Sequence, residues 1–464
     1  MTPGVAIPAA QVRRHSLAAV SVAAGEMPEP GRLVLIFALH AALGLAMRQL
    51  PPLATLHTFA TILAVLAVAL YTRNPATVLV CACYVSGSEV LWRMSKSYTF
   101  HETAKYAVSL LCLIGLVRLR RVRLPGHAVL YLALLLPAAV FPFIYFPFDT
   151  FRKQAMFHLS GPIALTLAIL YCSNLRVAAG ELWRAAVAFA APMAGVAAVT
   201  VRSSYMQQVK FGTESNFQTS GGFGPNQVSS SLAMAALLML MAALLARAGW
   251  KWRVLLAGLA SLFTVQSAMT FSRGGVLSLA AALIVTGPLV LSGHRYKRQI
   301  LLGLAGVALV LAVAFPVVNA YTGGKLAERF AEKEMSGRER LAAADWRVFE
   351  EFPVFGVGVG ISKFFHPHGV TAHTEFTRAL SEHGLLGVAA YLSLFWLLFR
   401  RGVAILGSRE LWPYRGLLLA LIVWPMAYMV VNAMRTSAPG LAIGLAFLTV
   451  LPGAAPAGRE RFAR

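Results

Sequence analysis

Apolar residues in this chain gather into about fourteen runs, centred near residues 40, 62, 84, 111, 135, 165, 191, 236, 261, 283, 308, 392, 421 and 445. The gaps between runs are short, with one exception. From Asn319 to Gly384 the chain makes a long polar excursion that holds nine of its eighteen acids and four of its eleven histidines. A helix of ~20 apolar residues crosses a bilayer, and in lipid each backbone N–H and C=O must be paired within the span. The pattern therefore predicts an all-α fold: a polytopic membrane helix bundle of about 12–14 transmembrane helices with a long, partly helical outer loop. The expected divisions are a tail 1–31, helices one to eleven in 32–318, the polar loop 319–384, helices twelve to fourteen in 385–453, and a tail 454–464.

Basic residues in the gaps give the chain a direction. One alternating set of gaps, from Arg73 to Arg415, carries seventeen Lys and Arg, and the other set of short gaps, from Arg48 to Arg435, carries ten. Positive charge is retained on the cytoplasmic side, so the first set and both termini are expected there. The polar loop, the Arg93–Lys105 gap, the Arg202–Asn226 gap and the Arg273 turn then share the outer face.

A chain of 464 residues that is 58% hydrophobic and 13% charged is not a soluble domain. Its net charge of +23 sits in short gaps and forms no soluble basic face. That pattern fits positive-inside topology and anionic lipid, and it argues against nucleic acid. Cys81, Cys83, Cys112 and Cys172 all lie in apolar runs and read as reduced packing residues. The first thirty residues lack an apolar core followed by a cleavage site, so they read as a cytoplasmic tail.

Within the polar loop, Ser336-x-x-Glu339 is a capping box. It predicts a helix from Gly337 to about Glu351, with Leu341, Ala344, Val348 and Phe352 on one stripe and Pro353 as its stop. Glycines alternate through Phe355–Gly360 without the spacing or the strand of a nucleotide loop, which predicts a tight, closely approached turn. His366, His368, His373 and His383 follow. No cysteine is near and no helical His-x-x-x-His exists, so no metal is expected, and His366 and His383 read equally as solvated loop side chains. His373 precedes a helix that re-enters the bilayer, and an imidazole of pKa ~6.5 suits proton acceptance. Catalytic and structural readings of His373 both stand.

Arg273 sits between two apolar runs with almost no loop, where a charge needs a partner or a headgroup. A guanidinium beside a helix N-terminus and open glycine backbone suits phosphate, and snorkelling is the competing reading. Arg202 and Lys210 lie on the same face. Asn226 and Gln227 lead into the next span and suit either helix capping or sugar hydroxyls. Glu102 and Lys105 are expected to pair with each other, with substrate contact as the other reading.

These pieces, in this order, resemble the O-antigen ligase and O-antigen polymerase superfamily. Arg273-Gly-Gly-Val-Leu277 and the His373 to Gly384 spacing carry the resemblance, with Pro353–Gly360 upstream, over about residues 200–400. The resemblance implies an enzyme similar to type C glycosyltransferases at the outer face of the bacterial inner membrane. Such an enzyme moves a glycan from undecaprenyl diphosphate to an acceptor hydroxyl, with no metal, nucleotide or other cofactor. Ligases use lipid A-core as acceptor, and polymerases use another lipid-linked repeat. The implied catalytic residues are His373, Arg273 and a second, upstream arginine, for which Arg202 has the matching side and order. Thr374 stands where relatives often have Asn or Ser. Lys210, Asn226, Gln227, Arg378, His368, Glu102 and Lys105 are the expected substrate-binding residues. The expected partners are the lipid-linked donor, the acceptor glycan and the bilayer, with no nucleic acid. The alternatives are a polymerase of the same superfamily and a secondary transporter. Against the transporter, the chain has no clear internal repeat and one notable acid within a span, Glu89.

Overall fold

A computed structural model describes residues 29–140, 147–205, 209–246, 248–292, 297–332, 338–366, 369 and 374–451. Every expected apolar run is a helix. They are α1 (Pro30–Gln49), α2 (Pro51–Tyr71), α3 (Pro75–Met94), α4 (Thr103–Val117), α5 (Gly126–Leu135), α6 (Phe148–Cys172) and α7 (Ala179–Tyr205). Then come α8 (Pro225–Leu245), α9 (Trp250–Met269), α10 (Arg273–Ser292), α11 (Lys297–Tyr321), α14 (Glu375–Gly407), α15 (Arg415–Val431) and α16 (Ala438–Ala446). The polar excursion contributes two further helices, α12 (Lys325–Ala331) and α13 (Arg338–Glu351). Eleven helices among the described residues are long and apolar enough to cross a membrane, so the chain is an all-α polytopic membrane protein. The remaining three runs give shorter helices: α4, α5, which ends where Pro137 opens a 3-10 turn, and the nine-residue α16.

Local chemistry sets the helix starts. Proline occupies the first turn of α1, α2, α3 and α8, where its missing N–H costs nothing. The Asn74 side chain caps α3 by accepting from Ala76 N, and Thr374 caps α14 by accepting from Thr377 N. Lipid offers no hydrophobic drive between helices, so close packing holds them together. Gly44 of α1 meets Gly195 of α7, where an added Cβ would lie 2.5 Å from the facing Cα. Helix α8 is almost wholly enclosed by protein, packing on α7, α9 and α10, while Phe59, Leu63, Leu309, Val313 and Phe399 face outward.

Because successive spans reverse direction, many helix ends meet at one end of the bundle. These are the C-terminal ends of α1, α3, α7, α9, α11 and α15 and the N-terminal ends of α2, α4, α6, α8, α10, α14 and α16. At the other end a two-stranded parallel sheet pairs Arg176–Ala178 (β1) with Thr449–Leu451 (β2). The segment 319–384 thus takes in the last turn of α11, α12, α13 and the first turns of α14.

The expected helix of the polar loop is α13; Ser336 of its capping box lies outside the described residues. The glycine turn after it has a physical cause. Helix α14 breaks at Gly384, with φ +58°, and the break frees the carbonyls of Ser381 and Glu382. Val357 N and Gly358 N donate to those carbonyls at 2.9 and 3.1 Å, and Leu385 N returns a bond to Pro353 O at 2.7 Å. Backbone lies on backbone, so no Cβ fits. A Gly384→Ala change places a methyl 2.5 Å from Pro353 O at a positive φ. It is expected to cost about 1–3 kcal/mol, seen as a lower thermal midpoint of the detergent-purified protein; an unchanged midpoint would show that this docking contributes nothing.

His366 and His383 are buried, which corrects the reading of both as solvated side chains. His366 Nε2 lies 2.8 Å from Asp345 Oδ1, which also accepts from Ser381 Oγ at 2.5 Å. This cluster ties α13 to α14. His383 Nδ1 is enclosed without a hydrogen-bond partner among the described residues.

Candidate functional site

Arg93, near the end of α3, organises the end of the bundle that carries the lobe. Its planar fork donates to Glu89 one turn back, to the His101 carbonyl, to Gln227 Oε1 at 2.8 Å and to the Arg435 carbonyl at 2.9 Å. Glu89 is equally engaged, accepting from Ser437 N and Ser437 Oγ, each at 2.7 Å. The acid that a transporter would need is therefore pinning α16 to α3.

A second buried ion cluster opens α14. Arg378 donates to Glu375, to Glu382 at 3.2 Å and to His158 Nδ1 at 3.1 Å. Glu375 also accepts from Met434 N at 3.1 Å, so α14 is tied to the chain after α15. Removing one member of such a buried cluster leaves an uncompensated charge. Glu375→Ala is expected to lose about 3–5 kcal/mol, measured as a depressed unfolding midpoint; a midpoint within a degree of wild type would contradict this reading.

Two cations near these clusters lack a carboxylate of their own. Lys105 is fully buried, donating to Phe157 O at 3.3 Å with its ammonium 5.5 Å from that ring's centroid. The Arg435 guanidinium makes no hydrogen bond or ion pair among the described residues, and burial lowers its pKa. The exposed residue His101 feels the same field. Its pKa is pushed down to about 4, first by the part of its surface that is covered and then by Arg93, Lys105 and Arg435.

Arg435 opens onto a cavity of about 200 Å³ whose lining includes Asn226, Gln227, Tyr428 and Asn432 and contains no carboxylate. The amide orientations make it a donor chamber. Gln227 gives its oxygen to Arg93, and Asn226 Oδ1 accepts from Ser272 Oγ at 2.6 Å. Each amide is left with its NH₂ group. Asn432 Nδ2 is buried without a hydrogen-bond partner among the described residues. Three side-chain amide donors and a guanidinium line the chamber with no hydrogen-bond acceptor for them among the described residues. Such a set fits a multiply charged oxyanion.

A narrow gap lined by Phe157, His158, Glu375, Arg378, Met434 and Arg435 shares Arg435 with this chamber. Beyond it lies a larger cavity of about 430 Å³, bounded by Glu102, Gln154, His158 and basic residues of α6.

The structure separates the expected site residues. Asn226 and Gln227 line the donor chamber, Arg378 lines the gap and Glu102 lines the larger cavity. Arg273 stands beside the chamber, next to Ser272, yet its guanidinium donates to the Glu332 carbonyl after α12. Arg202 is exposed at the end of α7, with its guanidinium beside the Gln49 amide. Lys210 is exposed, and its carbonyl accepts from Asn216. His368 and His373 lie outside the described residues. The expected Glu102–Lys105 ion pair is not formed among the described residues. Glu102 stands at the N-cap position just outside α4, so the helical spacing does not apply to it, and Lys105 turns to Phe157 instead. Arg93, His158, Asn432 and Arg435 are the residues that sequence reasoning missed. Arg435 left one signal, a cation with no acid near it between two apolar runs.

No curated protein matches the chain. Residues 260–392 match the family model described as O-Antigen ligase. The match runs from α9 to the first half of α14 and includes Arg273, His373 and Arg378. Arg93, the two chamber amides of α8 and Arg435 lie outside it, yet pack against its helices. This segment supports a place for the chain in the O-antigen ligase superfamily.

Proposed function

We propose that the protein is an O-antigen ligase-like glycosyltransferase that moves a glycan from undecaprenyl diphosphate to an acceptor hydroxyl at the periplasmic face of the inner membrane. The observation that carries this reading is the donor chamber of Asn226, Gln227, Asn432 and Arg435, which has no carboxylate in its lining and abuts the family segment. The reaction is a single displacement. The acceptor oxygen attacks the anomeric carbon, the bond from that carbon to the diphosphate oxygen breaks, and configuration inverts. The diphosphate takes the bonding electrons, and the chamber donors interact most strongly as that charge grows. The acceptor proton passes to His373, six residues before Ala379 on the approach to α14.

Arg273 has a different task in this reading. Bonded to the Glu332 carbonyl at the start of α10, it fixes the lobe against the chamber mouth and adds positive potential there. Arg202 contributes at longer range. The donor lipid and both acceptor classes enter from the lobe end, with the two chain termini on the cytoplasmic side.

The test uses purified protein with one defined undecaprenyl-diphosphate-linked glycan and two acceptors, lipid A-core and a second lipid-linked repeat. Glycan transfer with release of undecaprenyl diphosphate is expected. Transfer to lipid A-core marks a ligase, and chain growth on the lipid-linked repeat marks the polymerase alternative. Intact donor with both acceptors, together with substrate flux in proteoliposomes, would leave the transporter reading in its place.

A further inference from the structure

We infer that the 430 Å³ cavity beyond His158 is the acceptor site, and that it takes a saccharide carrying phosphate or carboxylate groups. This rests on the transfer reaction proposed above and extends it to the second substrate. The cavity shares Phe157 and His158 with the narrow gap, and the gap shares Arg435 with the donor chamber. A displacement with inversion needs the attacking oxygen and the leaving diphosphate on opposite sides of one carbon. Two cavities that each share lining residues with one narrow gap suit that arrangement.

The lining is built for sugar hydroxyls. Glu102 is only 8% exposed, and its carboxylate has no hydrogen bond or ion pair among the described residues. The Gln154 amide has none either. A buried carboxylate without a partner is costly, and hydroxyls donate to it while an amide both donates and accepts. His158 adds a donor of fixed sense. Because a guanidinium only donates, the bond from Arg378 requires a lone pair on Nδ1, so the neutral ring carries its proton on Nε2.

The rim adds charge selectivity. Lys153 has no partner among the described residues, Arg152 reaches Asp149 only at 3.5 Å, and Lys363 sits 5.0 Å from the centroid of Phe364. Three cations face the single carboxylate of Glu102. A bare phosphate would satisfy the cations and leave the Glu102 carboxylate without a donor. A charged saccharide satisfies both.

The experiment measures binding by the full-length protein in nanodiscs of zwitterionic lipid. The probes are deacylated lipid A-core oligosaccharide, its dephosphorylated form, and undecaprenyl diphosphate. Wild type is expected to hold the phosphorylated oligosaccharide about tenfold tighter than the dephosphorylated one. In the Lys153→Glu/Lys363→Glu variant that preference disappears, while undecaprenyl diphosphate binds as before. Glu102→Ala weakens both oligosaccharides alike. The inference is overturned if the double variant weakens undecaprenyl diphosphate instead, which would make this the donor cavity. It is also overturned if neither variant alters oligosaccharide binding, or if anionic lipid in the nanodisc abolishes it in wild type, which would make this a lipid site. Each result is independent of turnover, so failure of the transfer assay with intact oligosaccharide selectivity would count against the proposed reaction alone.

Discussion

Arg435→Ala will lower glycan transfer by about 10²–10³-fold, the loss typical of removing one preorganised oxyanion donor. The argument is structural and electrostatic. The guanidinium lines the chamber and has no hydrogen bond or ion pair among the described residues, so its truncation breaks no contact that holds the fold. The unfolding midpoint should therefore stay near wild type while the rate collapses. Arg435→Lys should recover part of the rate, because an ammonium restores charge but not the planar fork. Single-turnover transfer with saturating donor separates the effect on the chemical step from any effect on binding. Near-wild-type turnover of the alanine variant would remove the chamber from the mechanism. Arg93→Ala makes the contrast. It too will lose activity, but with loss of stability, since four acceptors around the site depend on that side chain.

His373→Ala will lower transfer by about 10²–10⁴-fold, the usual contribution of a positioned general base. His373 lies in the segment that matches the O-antigen ligase family, just ahead of the Thr374 cap that starts α14. If it takes the acceptor proton, the alanine variant keeps its affinity for the lipid-linked donor and loses the chemical step. His373→Gln should be as inactive, because an amide cannot accept the proton. A variant that keeps its rate but binds donor poorly would assign His373 to the diphosphate. Against this background His158→Ala is the informative neighbour. In the structure His158 is a donor held by Arg378, so its loss should not imitate the loss of a base.

Much of the architecture was legible because the bilayer imposes it. Fourteen apolar runs became helices, and the polar excursion became a lobe between α11 and α14. The glycines of Pro353–Gly360 were legible as a close turn, but not their purpose. They lie on the backbone of a broken α14, and only the break at Gly384 creates carbonyls to receive them. Charge pairs were the least legible. Glu102 and Lys105 have helical spacing in the sequence, but Glu102 stands outside the helix, and its carboxylate lines the larger cavity. His366 looked solvated because it falls within the polar excursion, yet the Asp345 carboxylate meets it from α13.

The sequence by itself determined the class of molecule, the number of apolar segments and which segments end on the same face, because lipid forces every span to be a helix and each short connection to reverse direction. Tertiary structure alone decided which polar groups are consumed by other groups of the chain and which are not. Glu89, Arg93, Glu375 and Arg378 are bound to one another or to backbone, while Arg435, Asn432 and the amide NH₂ groups of Asn226 and Gln227 keep unmatched donors among the described residues. That division depends on distances of a few ångströms between helices far apart in the chain, and residue order carries no such distances.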